Sequence, residues 1–428
     1  MIRYSKKMKG GGLMNPSISR RAKSIAWLFM LVYFTSYITR IPFTVMMVKI
    51  CSDMNLEKAA LAIVVTGLTV TYGVGQIISG FMGDRVSPVR MVTMGLLIAV
   101  GCNTVMSFLH SVLWMTVVWC INGFAQALFW PPMIRLMSMH LSDTEYGYAV
   151  VRTCWGSSIA TILLYLVSPL LLTFMSWRIV MLSCSLFALA VSFLWCYTSP
   201  KLFGGSASLI GAKTKVEKDG VKTTVPLPRF VCVPIVLIIL SLTMHGILRD
   251  GVTNWMPFYM QENFSIPEEK AILSTVVLAL FSMASFSIFD FLYQKFFRNE
   301  VFFSSVIFVV SMVSAGALYV ANRFDAPSFV PMLLMGVIVA CMHGVNLMLI
   351  TVVPKRFLKS GKVSAYSGML NAFTYIGSSI SSYGFAVLAD AFGWGVTILT
   401  WIGISAIGVV ACFVASPIWM RFRREYAD

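Results

Sequence analysis

Apolar runs recur along the whole chain with short polar joints between them, each long enough to cross a hydrocarbon core of about 30 Å as a helix. Twelve such spans are predicted, at 25–48, 59–82, 91–109, 112–138, 147–171, 179–198, 230–259, 270–293, 300–321, 329–352, 363–388 and 393–417. Between the sixth and seventh stands the one long polar joint, residues 199–228, where Gly, Ser, Lys and Pro replace the apolar period. The pattern therefore predicts an all-α membrane protein. A cytoplasmic segment (1–24) precedes a six-helix bundle (25–198), and the linker (199–228) leads to a second bundle (229–417) and a tail (418–428). Two bundles of six suggest a carrier built from repeats, with its substrate site near the midplane between them.

Composition agrees with the pattern and excludes a soluble globular domain: 58% of the 428 residues are hydrophobic and 12% charged. The net charge of +16 raises the question of a nucleic-acid partner, and its distribution answers it. With the N-terminus inside, the inner joints hold 25 Lys and Arg residues and the outer joints hold five, Lys49, Lys58, Arg178, Lys270 and Arg323. That bias predicts both termini in the cytoplasm of a multi-pass cell-membrane protein. The basic excess is thus a topology signal that also attracts anionic lipid, and no nucleic-acid partner is expected. The N-terminal segment is basic, and the apolar run behind it is too long for a signal-peptide core, so no cleavage is expected. The nine cysteines lie in or beside apolar spans without metal-type spacing, which predicts packing roles and no metal or disulfide framework.

Against this background Arg40, in "YFTSYITRIPF", is anomalous, because an arginine at the centre of an inserted helix costs about 3 kcal/mol. Snorkelling to the interface is the bland alternative. A second intramembrane arginine, Arg249, lies in the seventh span, "HGILRDGVTNWMPFYM". First and seventh spans are equivalent in a six-plus-six repeat, so the two arginines are expected to face each other across the central cavity. The repeat has a further trace: Gly-Ser-Ser-Ile recurs in the fifth span (156–159) and the eleventh (377–380). Asp250 follows Arg249, but neighbours on a helix point about 100° apart, so its partner is expected on another helix.

The joint "GFMGDRVSPVR" (80–90) resembles the cytoplasmic loop motif of the major facilitator superfamily, with Asp84 and Arg85 in its acid-base places. Its counterpart "FDFLYQKFFR" (289–298) has Gln294 where an acid is expected. Within that superfamily, "NGFAQALFWPPMIRLMSMHLSDTEYG" (122–147) is similar to the fourth-span signature of the organophosphate:phosphate antiporters, in the spacing of Gln126, Trp130, Pro131, Arg135 and Glu145. These include the glycerol-3-phosphate and hexose-phosphate transporters. The similarity runs through nearly the whole chain beyond about residue 25, with Arg40, Tyr33, Tyr37, Tyr72, Arg249 and Tyr375 at family positions. It implies the major facilitator fold and exchange of an organic phosphate for inorganic phosphate, with the two arginines as the anion clamp and no cofactor. The chain departs from its relatives at Ile41 and Gln76, where some carry lysine, at Ser157, where a cavity histidine is expected, and at His343, which replaces a tyrosine. Arg152 and His245 are additional.

The clamp has a physical rationale. An arginine fork binds phosphate bidentately, and each unit-charge pair at about 4 Å is worth on the order of 4 kcal/mol at an effective dielectric near 20, enough to offset the embedding cost. An empty site would hold two unneutralised cations, so reorientation would need an anion aboard. The tyrosines either donate hydroxyls or pack as aromatics, and Asn371, one turn before Tyr375, is a polar contact for the organic part. His245, one turn before Arg249 and so expected on its face, either donates to phosphate, senses proton load or packs as a neutral histidine, and Arg152 is expected to reach headgroups, Asp84 or the cavity. A monomer is expected. Two other readings stand beside exchange: a proton-coupled carrier of another organic anion or a drug, with Asp250 and Asp290 as its acids, and a non-transporting sensor of sugar phosphates. Ser, His and Asp residues form no hydrolase pattern, and no enzyme is predicted.

Overall fold

The computed structural model describes residues 18–56, 58–204, 227–266, 268–324 and 326–427, and among these it is a bundle of helices. Each predicted span is present. The first half comprises α1 (Arg20–Ile38, resumed after a break by Pro42–Val45 and Met47–Met54), α2 (Lys58–Gly83), α3 (Pro88–Met106), α4 (Val112–Ala127 and Trp130–His140), α5 (Asp143–Leu172) and α6 (Trp177–Phe203). The second comprises α7 (Cys232–Phe264), α8 (Glu268–Phe296), α9 (Glu300–Arg323) and α10 (Phe329–Asn346, continued through a π-helical turn to Lys355). It is completed by α11 and α12, residues 363–392 and 394–422, divided where Gly393 takes φ 76°.

Helices overrun the apolar runs, since polar residues beyond the bilayer still satisfy their backbone within the helix. The linker therefore begins later than predicted: α6 continues to Phe203, with Pro200 in its last turn. Most of that linker and of the N-terminal segment falls outside the described residues. The tail is helical too, through Phe422 and a further turn to Ala427.

Ten helical segments among the described residues are long and apolar enough to cross a membrane by composition alone. The two spans missing from that set are α1 and α11. α1 falls short because its break at Ile38 leaves a short helix that begins with Arg20, Arg21 and Lys23, and α11 because Ser, Thr, Asn and Tyr residues run through it.

Within the halves, α1 packs on α5 and α6, and α7 packs on α11 and α12. The shared Gly-Ser-Ser-Ile explains itself here. A Cβ on Gly156 would strike the Met30 carbonyl of α1, and one on Gly377 would strike the Thr243 carbonyl of α7. The same glycine thus lets equivalent helix pairs approach backbone to backbone in each half. Between the halves, α2 packs on α11 and α5 on α8.

The halves are latched at one end, which holds the α2–α3, α4–α5 and α10–α11 joints and is rich in basic residues. The Asp84 carboxylate accepts the Ser364 and Ala365 N–H groups, both at 2.9 Å, capping the N-terminus of α11, where the helix dipole favours an anion. The Tyr146 hydroxyl donates to the Thr351 carbonyl at 2.7 Å, and Lys355 pairs with Asp143. Gly80 and Gly368 let α2 and α11 touch here, a Cβ on Gly80 falling 2.8 Å from the Ser364 carbonyl oxygen.

Gly377→Leu is expected to lower the unfolding temperature in detergent, through an overpacking cost of about 1–3 kcal/mol. Gly101→Leu, where an added Cβ meets nothing within 4 Å, is expected to leave it unchanged.

Candidate functional site

The site begins with a defect in α1. Pro42 has no N–H to continue the helix, and the chain breaks over Thr39–Ile41. The exposed backbone is held by a buried polar cluster. The Thr39 carbonyl accepts the side-chain amides of Asn103 (2.8 Å, α3) and Asn122 (2.9 Å, α4). The Gln126 amide donates to the Thr39 hydroxyl at 2.9 Å, and its oxygen accepts from Ser36 at 2.6 Å. Gln126 of the fourth-span signature thus positions Arg40 from behind. Asn103 and Asn122 do the same, and their only sequence signal is amide side chains amid apolar spans.

At the break Arg40 turns into a cavity of about 740 Å³ shared by both halves, where Arg249 enters from α7. The Arg40 guanidinium lies 4.3 Å from the Tyr37 ring centroid and 5.1 Å from that of Tyr72, and no ion pair joins it to a carboxylate among the described residues. The Tyr72 and Tyr375 rings meet edge to face at 4.8 Å, and the Arg249 guanidinium lies 5.8 Å from the Tyr375 centroid. Aromatic faces therefore connect the two cations across the bundles, each contact worth about 0.5–2 kcal/mol.

Arg249 contradicts the expectation for Asp250. Its Nε and Nη2 donate to the Asp250 carboxylate at 2.6 and 2.8 Å, a bidentate pair between sequence neighbours. The Cβ directions diverge as anticipated, but the long arginine stem curls back across that angle, and nothing more basic competes for the carboxylate. Among the described residues the main cavity therefore holds one cation without an ion-pair partner, Arg40, and not two.

Cavity polarity comes from His343, Thr253, Asn254, Ser378 and Ser379 beside the arginines. Toward the latched end a smaller chamber, about 60 Å³, is lined by Tyr33, Trp130, Ser157, Asn371, Tyr375 and His343 among others. Trp130 starts the second piece of α4, where Pro131 and Pro132 sit without cost in a first turn. Its ring lies 5.0 Å from Tyr33, whose ring is 5.3 Å from Tyr37. A third space, about 210 Å³, runs between α5 and α8 past Ser157 and His343. Thr44, Val65, Asn254 and Ser379 line the main cavity on the side of Arg40 away from the latch, so it opens away from the basic end.

Three expectations are corrected. Gln76 is fully buried and lines none of these cavities; its carbonyl lies where a Cβ on Gly368 would fall, so it belongs to the α2–α11 contact. His245 is likewise fully buried and lines none of these cavities, packed within reach of Arg249 rather than open to a substrate. Arg152 stacks 3.8 Å from the Tyr148 ring and 5.0 Å from Trp155, within the electrostatic reach of Asp290 on α8 rather than Asp84.

Apart from Trp130, the motif residues lie outside these cavities. Arg135 donates to the Gly83 carbonyl beside Asp84, and Pro131 accepts from the Ser364 hydroxyl at 3.0 Å. Burial pushes the Asp84 carboxyl above its usual value, against the pull of its two backbone donors and of Arg135. Arg85 is exposed. Glu145 closes a capping box with Ser142 at the start of α5 and accepts the Ser19 hydroxyl at 2.6 Å, tying α1 to α5. The degenerate counterpart places Asp290 and Gln294 against Gly147, with the Gln294 amide donating to Asp290 at 2.7 Å.

Two six-helix halves around a shared, polar, cation-bearing cavity define the architecture of a membrane transporter built from repeats. A family profile described as Major Facilitator Superfamily matches residues 29–380, and the chain belongs to that superfamily. Several of its relatives, all at modest identity, carry names of sugar-phosphate and glycerol-3-phosphate proteins. The membrane sensor protein UhpC of Salmonella typhimurium is 22% identical over 92% of this chain and 90% of its own. A probable hexose phosphate transport protein of Chlamydia trachomatis is 32% identical over 29% of this chain, and that match spans only about a quarter (27%) of its length. The glycerol-3-phosphate transporter of Bacillus subtilis is 26% identical over 33% of each chain. Among solved structures, the proton:xylose symporter XylE bound to 6-bromo-6-deoxy-D-glucose superposes with TM-score 0.72 at 15% identity, covering 96% of this chain and 97% of that one.

Asn122→Ala is expected to destabilise the protein by about 1–3 kcal/mol, the cost of stripping a donor from a buried carbonyl, read as a lower unfolding temperature in detergent.

Proposed function

We propose that this carrier exchanges an organic phosphate ester for inorganic phosphate across the cell membrane, with Arg40 and Arg249 gripping the phosphate from opposite bundles. The observation that carries the reading is the entry of both forks into one cavity, with the Tyr72–Tyr375 pair between them. Two planar forks from separate rigid bodies can chelate one tetrahedral dianion, and in doing so they draw the bundles together. The polar rim of Thr253, Asn254, Ser378 and Ser379 suits the hydroxyls of a polyol or sugar moiety, and Asn371 and Ser157 suit a group reaching the inner chamber. The printed names of the relatives, a hexose phosphate transport protein and a glycerol-3-phosphate transporter, support the same substrate class.

The positive-inside bias puts the latched end and both termini in the cytoplasm, so the cavity opens outward. Inward release then requires breaking the Asp84 cap on α11, the Tyr146–Thr351 hydrogen bond and the Lys355–Asp143 pair. Those bonds have modest strength individually, which suits a latch that must open in each cycle.

A second reading is favoured by one observation: the membrane sensor protein UhpC aligns over nearly the whole chain. A sensor would bind a sugar phosphate in the same cavity without moving it.

Proteoliposomes loaded with inorganic phosphate are expected to take up labelled phosphate in exchange, and Arg40→Lys or Arg249→Lys is expected to cut that rate by a hundredfold or more, since an ammonium has no fork. Brisk exchange by both lysine variants would remove the clamp. Phosphate binding without flux in the wild type would establish the sensor.

A further inference from the structure

One space beside the clamp has so far been given no task. The arm between α5 and α8, about 210 Å³, opens off the arginine cavity at Tyr37, Thr253 and His343, each of which lines both spaces. Along α5 it runs from Ser157 to Tyr165, a rise of about 12 Å over eight residues, away from the latched end and with Ser282 on its α8 side. Thr253 stands one turn beyond Arg249 and donates to its carbonyl at 2.6 Å, so the mouth of the arm lies one helical turn from the second arginine.

The chemistry of the arm differs from that of the cavity it leaves. Among the described residues no Lys, Arg, Asp or Glu lines it. Apart from His343 at the mouth, its polar side chains carry hydroxyls, and three of these are turned back on their own helices. Ser157 donates to the Cys154 carbonyl at 2.7 Å, Thr161 to that of Ser157 at 2.9 Å and Ser282 to that of Leu278 at 2.7 Å. Each spends its proton within the helix and leaves oxygen lone pairs for a guest. Between them the wall is aliphatic, from Ile162, Val276, Leu278 and Val339. Acceptors set in an apolar wall suit a moiety with C–H faces and hydroxyl edges. A carboxylate in the same place would lose water, meet further acceptors and find no cation, which is the costly way to confine a charge.

Size narrows the guest further. At about 30 Å³ for a water-sized group, the arm has room for on the order of seven such groups, whereas the inner chamber of about 60 Å³ holds about two. A three-carbon ester gripped by the arginines stays at the mouth, and a six-carbon one extends past Ser157 to Thr161, one turn further along α5.

We propose that this arm is the subsite for the organic part of the substrate, and that it restricts the carrier to phosphate esters whose remaining groups are uncharged, polyhydroxylated and of hexose size, with Thr161 and Ser282 as the residues that set the preference. The assignment rests on the clamp proposed above and adds what the clamp cannot supply, since two arginine forks grip a phosphate whatever is attached to it. Because α5 belongs to the first half and α8 to the second, a polyol in the arm touches both halves and joins the phosphate in drawing them together.

Two open-chain esters of equal length isolate the charge: sorbitol 6-phosphate ends in a hydroxymethyl group and 6-phosphogluconate in a carboxylate. Competition with labelled inorganic phosphate for the purified full-length protein is expected to rank sorbitol 6-phosphate about tenfold tighter or more. The double variant Thr161→Val/Ser282→Ala, which nearly keeps the shape of the arm and removes two acceptors, is expected to weaken sorbitol 6-phosphate about tenfold relative to glycerol 3-phosphate. Thr161→Lys places a cation in the arm and is expected to reverse the ranking in favour of 6-phosphogluconate. Equal binding of the two six-carbon esters by the wild type overturns the arm while the clamp stands. So does a double variant with an unchanged preference for sorbitol 6-phosphate over glycerol 3-phosphate, or a Thr161→Lys protein that binds phosphate and keeps the wild-type ranking. Wild-type protein that binds no phosphate overturns the clamp and the arm together.

Discussion

A guanidinium in the middle of a membrane domain, with no carboxylate paired to it among the described residues, is the constraint around which this protein is arranged. Arg40 stays charged at any relevant pH, so the fold has to supply its environment. It does so with two tyrosine faces and a polar cavity in front, and with a polar cluster behind that lets α1 break without leaving its backbone unsatisfied. The break, the proline after it, the two asparagines and Gln126 are one device. Remove the cluster and the carbonyl of Thr39 faces hydrocarbon, and Arg40 no longer has a fixed place from which to reach across.

The second half answers the first with a similar frame and different chemistry. Gly156 and Gly377 bring equivalent helix pairs together, so the arginines of α1 and α7 descend into the cavity from matching scaffolds. Their electrostatics differ, however. Arg40 leans on aromatic quadrupoles, which attract weakly and release easily, whereas Arg249 is locked into a bidentate ion pair. The latch is asymmetric in the same way. Asp84 caps α11 from the opposite half, but the start of α5 is capped by its own Glu145, which frees the α8 counterpart from that task. Loss of the acid at Gln294 is therefore tolerated, because the helix terminus it would serve is already satisfied.

Most of the fold was legible because membrane insertion imposes it: an apolar run of sufficient length has little choice but to become a helix. The helix ends were less legible, since Lys201 and Arg421 continue helices that hydropathy had already ended. In the site, Arg40, Arg249, Tyr72 and Tyr375 could be placed from their anomalous polarity and from family resemblance. Gln76 and His245 could not, because which side of a buried helix faces the cavity depends on crossing angles that a sequence does not state. Asp250 shows the limit most plainly. Helical geometry correctly separates neighbouring Cβ atoms by about 100°, yet it says nothing about where the end of a long side chain comes to rest once a charge needs a partner.

That ion pair also changes the physical account of why such a carrier moves when loaded. With two bare cations, the empty site would resist closure by mutual repulsion, and any anion would relieve it. With Asp250 in place, the empty site retains a single charge, and the repulsive barrier to closing around nothing is correspondingly smaller. The selection for a loaded state must then come less from cancelling repulsion than from what only a ligand can do, namely bridge forks on different bundles. A carboxylate tethered to α7 satisfies Arg249 but cannot reach over and tie α1 to it, whereas in the proposed clamp a tetrahedral anion would satisfy both at once. On the proposed clamp, coupling resides in geometry as much as in charge: the internal anion keeps the site stable while open, and the transported one would close it.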